Sequence, residues 1–271
     1  MTKSHTQNLS VNHYICGDDT PFPKFASAVR KAGMTSVGVT RAAIYEMGIK
    51  DLARCLNDEG LGVSSLNSAG YFTLGDPNPV QYSNQEMVEF AAELSADVLC
   101  VITGGLGTPS ILLGDAHKIV EEGFSELAEY AASAGISLGL EPIYPADILT
   151  KGCINSCAHG LKIVEPYGNA KLILDLYHSW WDPDLPRLLR DQLDKIALLQ
   201  ICNPRFENGL AVGREPLLSG GLDRVELQKI VTQPNYSGKW ELEIFNRDLK
   251  GSDPVTIVNQ FPDEFHRCEE S

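Results

Sequence analysis

Short apolar runs alternate with amphipathic segments along almost the whole chain. The apolar runs predict strands over Leu9–Cys16, Thr35–Thr40, Leu61–Leu66, Asp97–Thr103, Ile136–Glu141, Lys171–Leu176, Ala197–Cys202 and Trp240–Phe245. Between them, apolar residues recur with helical spacing over Phe22–Ala32, Ile49–Asp58, Gln85–Leu94, Ala116–Ala134, Ser156–Pro166, Leu185–Ile196 and Asp223–Thr232. Gly33, Gly60 and Gly135 stand where three of these helices stop. From about residue 248 to residue 271 the chain reads as a charged, irregular tail with room for a helical turn near its end.

Eight strand-led units with no linker or compositional break imply one domain spanning residues 1–271. Strict alternation implies a parallel sheet with right-handed crossovers. Eight units in about 250 residues match a single (β/α)8 barrel, the TIM-barrel architecture. An open doubly wound sheet would need a dinucleotide fingerprint at its first turn. The only glycine-rich stretch, Gly104–Thr108, follows the fourth strand and lacks the full spacing, so it reads as a βα loop rather than a phosphate cradle.

Charge narrows the partners. With 36 acidic and 22 basic side chains the net charge is −14, which argues against binding to a nucleic-acid backbone. Seven scattered cysteines without a CxxC pair read as reduced thiols of a cytoplasmic protein. No stretch approaches the roughly 20 apolar residues of a membrane span. A small-molecule substrate fits this picture, and assembly into a homo-oligomer is left open.

In such a barrel the chemistry sits at the C-terminal ends of the strands. The fifth strand ends on Glu141, the sixth reaches Asp175, the seventh reaches Gln200 and the eighth carries Glu243. Side chains alternate across a strand, and this register turns all four inward while Leu138, Leu140, Leu172, Leu174, Leu242 and Ile244 face the helices. Three carboxylates at one rim repel one another unless a positive charge lies among them. A divalent cation answers that need, and the oxygen-rich set suits Mn2+ or Mg2+ better than Zn2+. Trp180 and Trp181, just past the sixth strand, are expected to wall a pocket, and Tyr144 to line it. One of His13 and Tyr14 should face the interior, and His13 is the expected substrate contact. Glu241 shares the parity of Glu243 one layer deeper.

The signatures LEPIYP at Leu140–Pro145, DLYHSWWDPDL at Asp175–Leu185 and ELEIF at Glu241–Phe245 resemble the sugar phosphate isomerase/epimerase family. This is the xylose isomerase-like barrel superfamily, which includes ketose 3-epimerases, inosose dehydratases, hydroxypyruvate isomerases and endonuclease IV. The likeness extends over essentially the whole chain. It implies metal ligands at Glu141, Asp175, position 200 and Glu243, with the two glutamates as the acid/base pair. It implies a substrate or metal contact for His178, and a substrate contact for Arg214 or, second, Arg205. The chain departs from the family at position 200, where Gln replaces the usual His. A Gln carbonyl is a neutral, weak ligand.

The sequence therefore predicts a metal-dependent isomerase or epimerase that moves a proton on a sugar-like or cyclitol-like hydroxy-ketone through an enediolate. A lyase or dehydratase using the same enolate is the first alternative. A barrel with a degenerate metal site, serving as a binding or partner subunit, is the second and is motivated by Gln200.

Overall fold

The computed structural model describes residues 6–17, 19–74, 82–107, 111–233 and 235–270. The first half runs β1 (Leu9–Asn12), α1 (Phe22–Lys31), β2 (Ser36–Thr40), α2 (Arg41–Met47), α3 (Ile49–Glu59), β3 (Gly62–Gly70), α4 (Asn84–Glu93), β4 (Leu99–Ile102) and α5 (Leu113–Ser133). The second half continues with β5 (Leu138–Leu140), α6 (Cys157–Val164), β6 (Ala170–Asp175), α7 (Leu176–Ser179), α8 (Leu185–Asp191) and β7 (Ile196–Ile201). It ends with β8 (Asn203–Glu207), β9 (Leu210–Glu215), α9 (Arg224–Val231), β10 (Lys239–Leu242) and α10 (Pro254–Glu269). Eight parallel strands close in the order β1, β10, β7, β6, β5, β4, β3, β2 and back to β1. The chain is a single (β/α)8 barrel, as the alternation predicts.

The alternation of side chains sets two cores. Leu138, Leu140, Leu172, Leu174, Leu199, Ile201 and Leu242 pack outward with the helices. Val98, Cys100, Ile173 and Leu198 form a small separate plug inside the barrel. Gly139 faces that plug, where a Cβ would stand 2.5 Å from Ile173 Cγ1.

Across the barrel from the plug, the interior is polar. Ser10, Asn12, Ser64, Ser65, Gln200 and Glu241 are all buried. Asn12 Nδ2 donates to Glu241 Oε1 at 2.8 Å, Ser64 Oγ to Oε2 at 2.6 Å, Ser65 Oγ to both oxygens at 2.9 Å, and Gln200 Nε2 to Oε1 at 3.1 Å. Two adjacent serines serve one carboxylate because the β2–β3 register slips between Val37 and Gly38, leaving Ser64 as an extra residue in β3. Gly38 supplies the room, since a Cβ there would stand 2.7 Å from Glu241 Oε2.

Several sequence expectations are corrected. The strand expected over Leu9–Cys16 stops at Asn12, whose side chain accepts from the Tyr14 N–H and turns the chain. The segment expected to be an irregular tail forms α10, capped by Asp253 and packed against α1 and α9. Its buried residues Pro254, Ile257, Val258, Phe261, Phe265 and Cys268 carry the helical period beneath the charges. An antiparallel hairpin, β8–β9, follows β7, an element outside the strand–helix alternation. Thr108 of the glycine-rich stretch lies outside the described residues. All seven cysteines are free thiols, and among the described residues no helix is long and apolar enough to cross a membrane.

Candidate active site

A cavity of about 230 Å³ opens at the C-terminal ends of the strands. Glu141, His178, Arg214 and Glu243 form its polar floor, with Asp175 directly beneath. The apolar wall is Tyr14, Ile102, Ile143 and Phe245, and Lys151 stands at the edge. Another surface cavity, near the opposite ends of β5, β6 and β7, lies away from these groups.

Each site residue is placed by its strand end. Glu141 follows β5, its N–H held by Val101 O at 3.1 Å, and Pro142 then prevents further pairing. Cys100 Sγ donates to Glu141 Oε2 at 3.3 Å. Asp175 is the last residue of β6 and the N-cap of α7, with Oδ1 accepting from the Tyr177 N–H at 2.8 Å. The single turn of α7 then returns His178 to the same rim. Arg214 arrives from β9, so the hairpin supplies the site's internal cation. The guanidinium lies between the rings of Tyr177 (4.2 Å) and Phe245 (4.6 Å), and its side chain is only 2% exposed.

Arg214 is the hub. Its Nη2 donates to Asp175 Oδ2 and to Glu243 Oε2 (3.2 Å), and approaches His178 Nε2 at 3.4 Å. Arg205 does not reach the site. It pairs with Glu215 at 2.9 Å, within an outer network that includes Glu207 and Asp248.

Charge is distributed unevenly. Burial, then the neighbouring Asp175 charge, pushes the Glu141 carboxyl up to about 8. Burial also raises Glu243 well above the usual carboxylate range; Arg214 opposes the rise, while Asp175 and Glu141 reinforce it. Asp175 goes the other way. Burial works against its charge, but Arg214, His178 and the Tyr177 N–H hold it below its ordinary value. Burial lowers His178 to about 3, with Arg214 and Lys151 adding to the effect and Asp175 opposing it. The imidazole is therefore neutral. Its Nδ1 accepts from the Tyr144 N–H at 3.1 Å, which puts the ring proton on Nε2, facing Glu141 Oε1 (3.7 Å) and Asp175 Oδ2 (3.8 Å).

Glu141, Asp175 and His178 bring ligand-type atoms within 4.8 Å of one another, and among the described residues this group could hold a divalent ion. Two buried carboxylates are a hard, oxygen-rich donor set that such an ion fits. Gln200 is buried beside this group. Its amide nitrogen donates to Glu241 Oε1 at 3.1 Å and to Glu243 Oε1 at 3.4 Å, and its buried Oε1 has no hydrogen-bond partner.

The expected walls are also redistributed. His13 binds Thr40 Oγ1 through Nδ1 at 2.8 Å and packs against Phe22 and Phe25, while its neighbour Tyr14 lines the cavity. Asn12 caps the turn after β1, and that turn swings residue 13 outward. Trp180 meets Phe206 of β8 edge to face, and Trp181 Nε1 donates to His178 O at 2.9 Å; neither lines the cavity. Tyr144 contributes its backbone N–H to His178, and its ring rests near Tyr177. Cys100 and Lys151 also line the cavity, beyond the residues expected from sequence. The inward parity of β4 would have found the first, and the second lies in an irregular loop without a pattern.

The sequence matches the family model of the xylose isomerase-like TIM barrel over residues 26–263. No curated protein matches it. Among solved structures, a protein from Sinorhizobium meliloti is 25% identical at a TM-score of 0.85, with 97% of this chain and 98% of that chain covered. The IolI protein, solved with a zinc atom bound, is 16% identical at a TM-score of 0.80, over 97% of this chain and 98% of that one. An L-ribulose 3-epimerase is 17% identical at a TM-score of 0.73, over 97% and 95%. At these last identities the likeness is one of fold.

Proposed function

The chain belongs to the xylose isomerase-like TIM barrel family, and from that premise we propose that it is an isomerase or epimerase of a small sugar-like or cyclitol-like hydroxy-ketone. One observation carries the reading. Glu141 and Glu243 face a single cavity, and both hold protons far above the ordinary carboxylate range. Glu141, titrating at about 8, is poised to take a proton from the carbon next to the carbonyl. Glu243, whose carboxyl burial also raises, returns one to the resulting enediolate, on the opposite face or at the neighbouring carbon.

The other residues serve that transfer. His178 presents a neutral Nε2–H to a substrate oxygen, and Arg214 has donors to spare beyond its carboxylate partners. Tyr14, Ile102, Ile143 and Phe245 exclude water from the proton's path. The cavity, at about 230 Å³, falls below the usual range of about 300–1,000 Å³ for ligand pockets, which favours a monosaccharide-sized compound. Glu141 and Asp175 would hold a divalent ion, with Mn2+ or Mg2+ matching their oxygen donors. Such an ion would supply charge stabilisation to the substrate oxygens. A solved structure of D-psicose 3-epimerase with D-fructose (15% identity, TM-score 0.71, 96% of this chain and 97% of that chain) and the L-ribulose 3-epimerase support the substrate class as relatives in fold.

The test is solvent exchange. The protein is incubated with Mn2+ or Mg2+ and a panel of ketoses and keto-cyclitols in D2O, and deuterium is followed by NMR at the carbon next to the carbonyl. Exchange with at least one panel member is expected, and Glu141→Gln lowers its rate by about 10²–10⁴. No exchange with any member, or undiminished exchange in Glu141→Gln, overturns the reading. Loss of water from the substrate would point to the lyase instead.

A further inference from the structure

We propose that Arg214 is a resident counter-cation that a divalent ion must displace from Asp175 in order to bind. The inference rests on the metal-assisted reading above, and concerns this chain's own residues rather than the reaction.

Nη2 of Arg214 reaches Asp175 Oδ2 and lies 3.2 Å from Glu243 Oε2 and 3.4 Å from His178 Nε2. One nitrogen thus occupies the point on which side chains from the ends of β6 and β10 converge, and an ion drawn to Asp175 Oδ2 claims the same point. Asp175 has no unengaged oxygen to offer, because Oδ1 is held by the Tyr177 N–H at 2.8 Å.

The placement is built into the fold. Arg214 is clasped between the Tyr177 and Phe245 rings and carried on a strand of the hairpin, so its guanidinium is not a chance visitor. Arg214 Nε is buried without a hydrogen-bond partner, so the hydrogen-bonding capacity of the side chain is not fully used in its present position. Two cations cannot sit at this separation in a low-dielectric pocket without strong repulsion. Ion binding therefore drives the guanidinium away from Asp175, and Arg214 lowers the affinity that the carboxylates alone would give. Position 200 enters the same argument. Gln200 turns its amide donor toward Glu243, leaving Arg214 as the only formal cation within hydrogen-bond distance of Asp175 and Glu243 among the described residues.

The experiment uses full-length protein stripped with a chelator and titrated with Mn2+ alone by calorimetry. Arg214→Met is expected to bind Mn2+ about tenfold or more tightly than the wild type. Equal or weaker binding, or no binding in either protein, overturns the proposal. Because Arg214→Met leaves two buried carboxylates without their cation, a second measurement needs only the wild type. The guanidinium 15N–1H signal of Arg214, assigned by its loss in Arg214→Lys, is followed while diamagnetic Zn2+ is added. Free protein shows a rigid guanidinium and Zn2+-bound protein an averaged one. A signal that stays rigid with the ion bound overturns the proposal. Neither readout uses a substrate, so failure here is distinguishable from failure of the isomerase reading.

Discussion

The side-chain amide of Gln200 lies 3.1 Å from Glu241 Oε1, and this bond joins the floor of the barrel to its rim. The same nitrogen reaches Glu243 Oε1 at 3.4 Å, so one residue orients two buried carboxylates. Gln200→Leu conserves much of the volume but removes both donors. A buried polar group left without its partner costs about 1–3 kcal/mol. We expect Gln200→Leu to lower the urea midpoint by an amount equivalent to about 2 kcal/mol or more. An unchanged midpoint would mean that the amide is not needed by either glutamate.

Gly38 tests the same network from the other side. A methyl group there would stand 2.7 Å from Glu241 Oε2 and 2.8 Å from Asn12 Nδ2, with no solvent-facing direction in which either could retreat. Gly38→Ala should destabilise by about 1–3 kcal/mol through overpacking. Gly168→Ala is the control, because a Cβ there meets nothing within 4 Å and its φ is not positive. It should stay within about 0.5 kcal/mol of the wild type in the same denaturation series. Equal behaviour of the two variants would sink the account of Gly38.

The barrel and its rim were legible because both follow from strand parity. Aliphatic residues at Leu172, Leu174, Leu199 and Leu242 facing the helices leave Asp175, Gln200, Glu241 and Glu243 no direction but inward. What parity could not supply was any feature made by a turn or by a contact between distant segments. His13 was misplaced because Asn12 ends β1 early. The hairpin carrying Arg214 turns at Asn208–Gly209, both with positive φ, and an Asn-Gly pair is a strong hairpin signal that strand–helix alternation does not weigh. The role of Gln200 was invisible for a deeper reason. The residue is legible as a departure from His, but what its amide faces depends on Glu241, 41 residues away in sequence, and on a bulge in β3 that no local pattern announces.

His13 gives a pH prediction. Burial lowers its pKa from 6.5 to about 4, so the unfolded chain takes up a proton at a pH where the folded chain does not. Stability is therefore complete above about 6.5 and falls as the pH drops toward 4. At pH 5 the loss attributable to this one group is about 2 kcal/mol. His13→Phe, which keeps an aromatic ring against Phe22 and Phe25, should flatten the acid limb of the stability curve between pH 6.5 and 4. Identical acid limbs in chemical denaturation of the two proteins would contradict the assignment.

His178 is fixed in a tautomer opposite to that of most metal-binding histidines. A histidine that ligates through Nε2 almost always donates its Nδ1–H to a carboxylate, carbonyl or water. Here Nδ1 accepts from the Tyr144 backbone N–H at 3.1 Å, so in the neutral ring the proton sits on Nε2 and points at the carboxylates. The 3.4 Å approach of Arg214 Nη2 is then a meeting of two donors, both drawn to Asp175. With burial holding its pKa at about 3, the ring should show protonated Nε2 and bare Nδ1 throughout the range from pH 5 to 8 in 15N NMR. Tyr144→Pro isolates the cause. Tyr144 has φ −51 and ψ 131, close to what proline adopts and compatible with the Pro145 that follows, so the change deletes the N–H with little backbone rearrangement. The variant should populate both tautomers. A wild-type ring already protonated on Nδ1 would instead make His178 a metal ligand in waiting, and would remove the neutral donor from the proposed site.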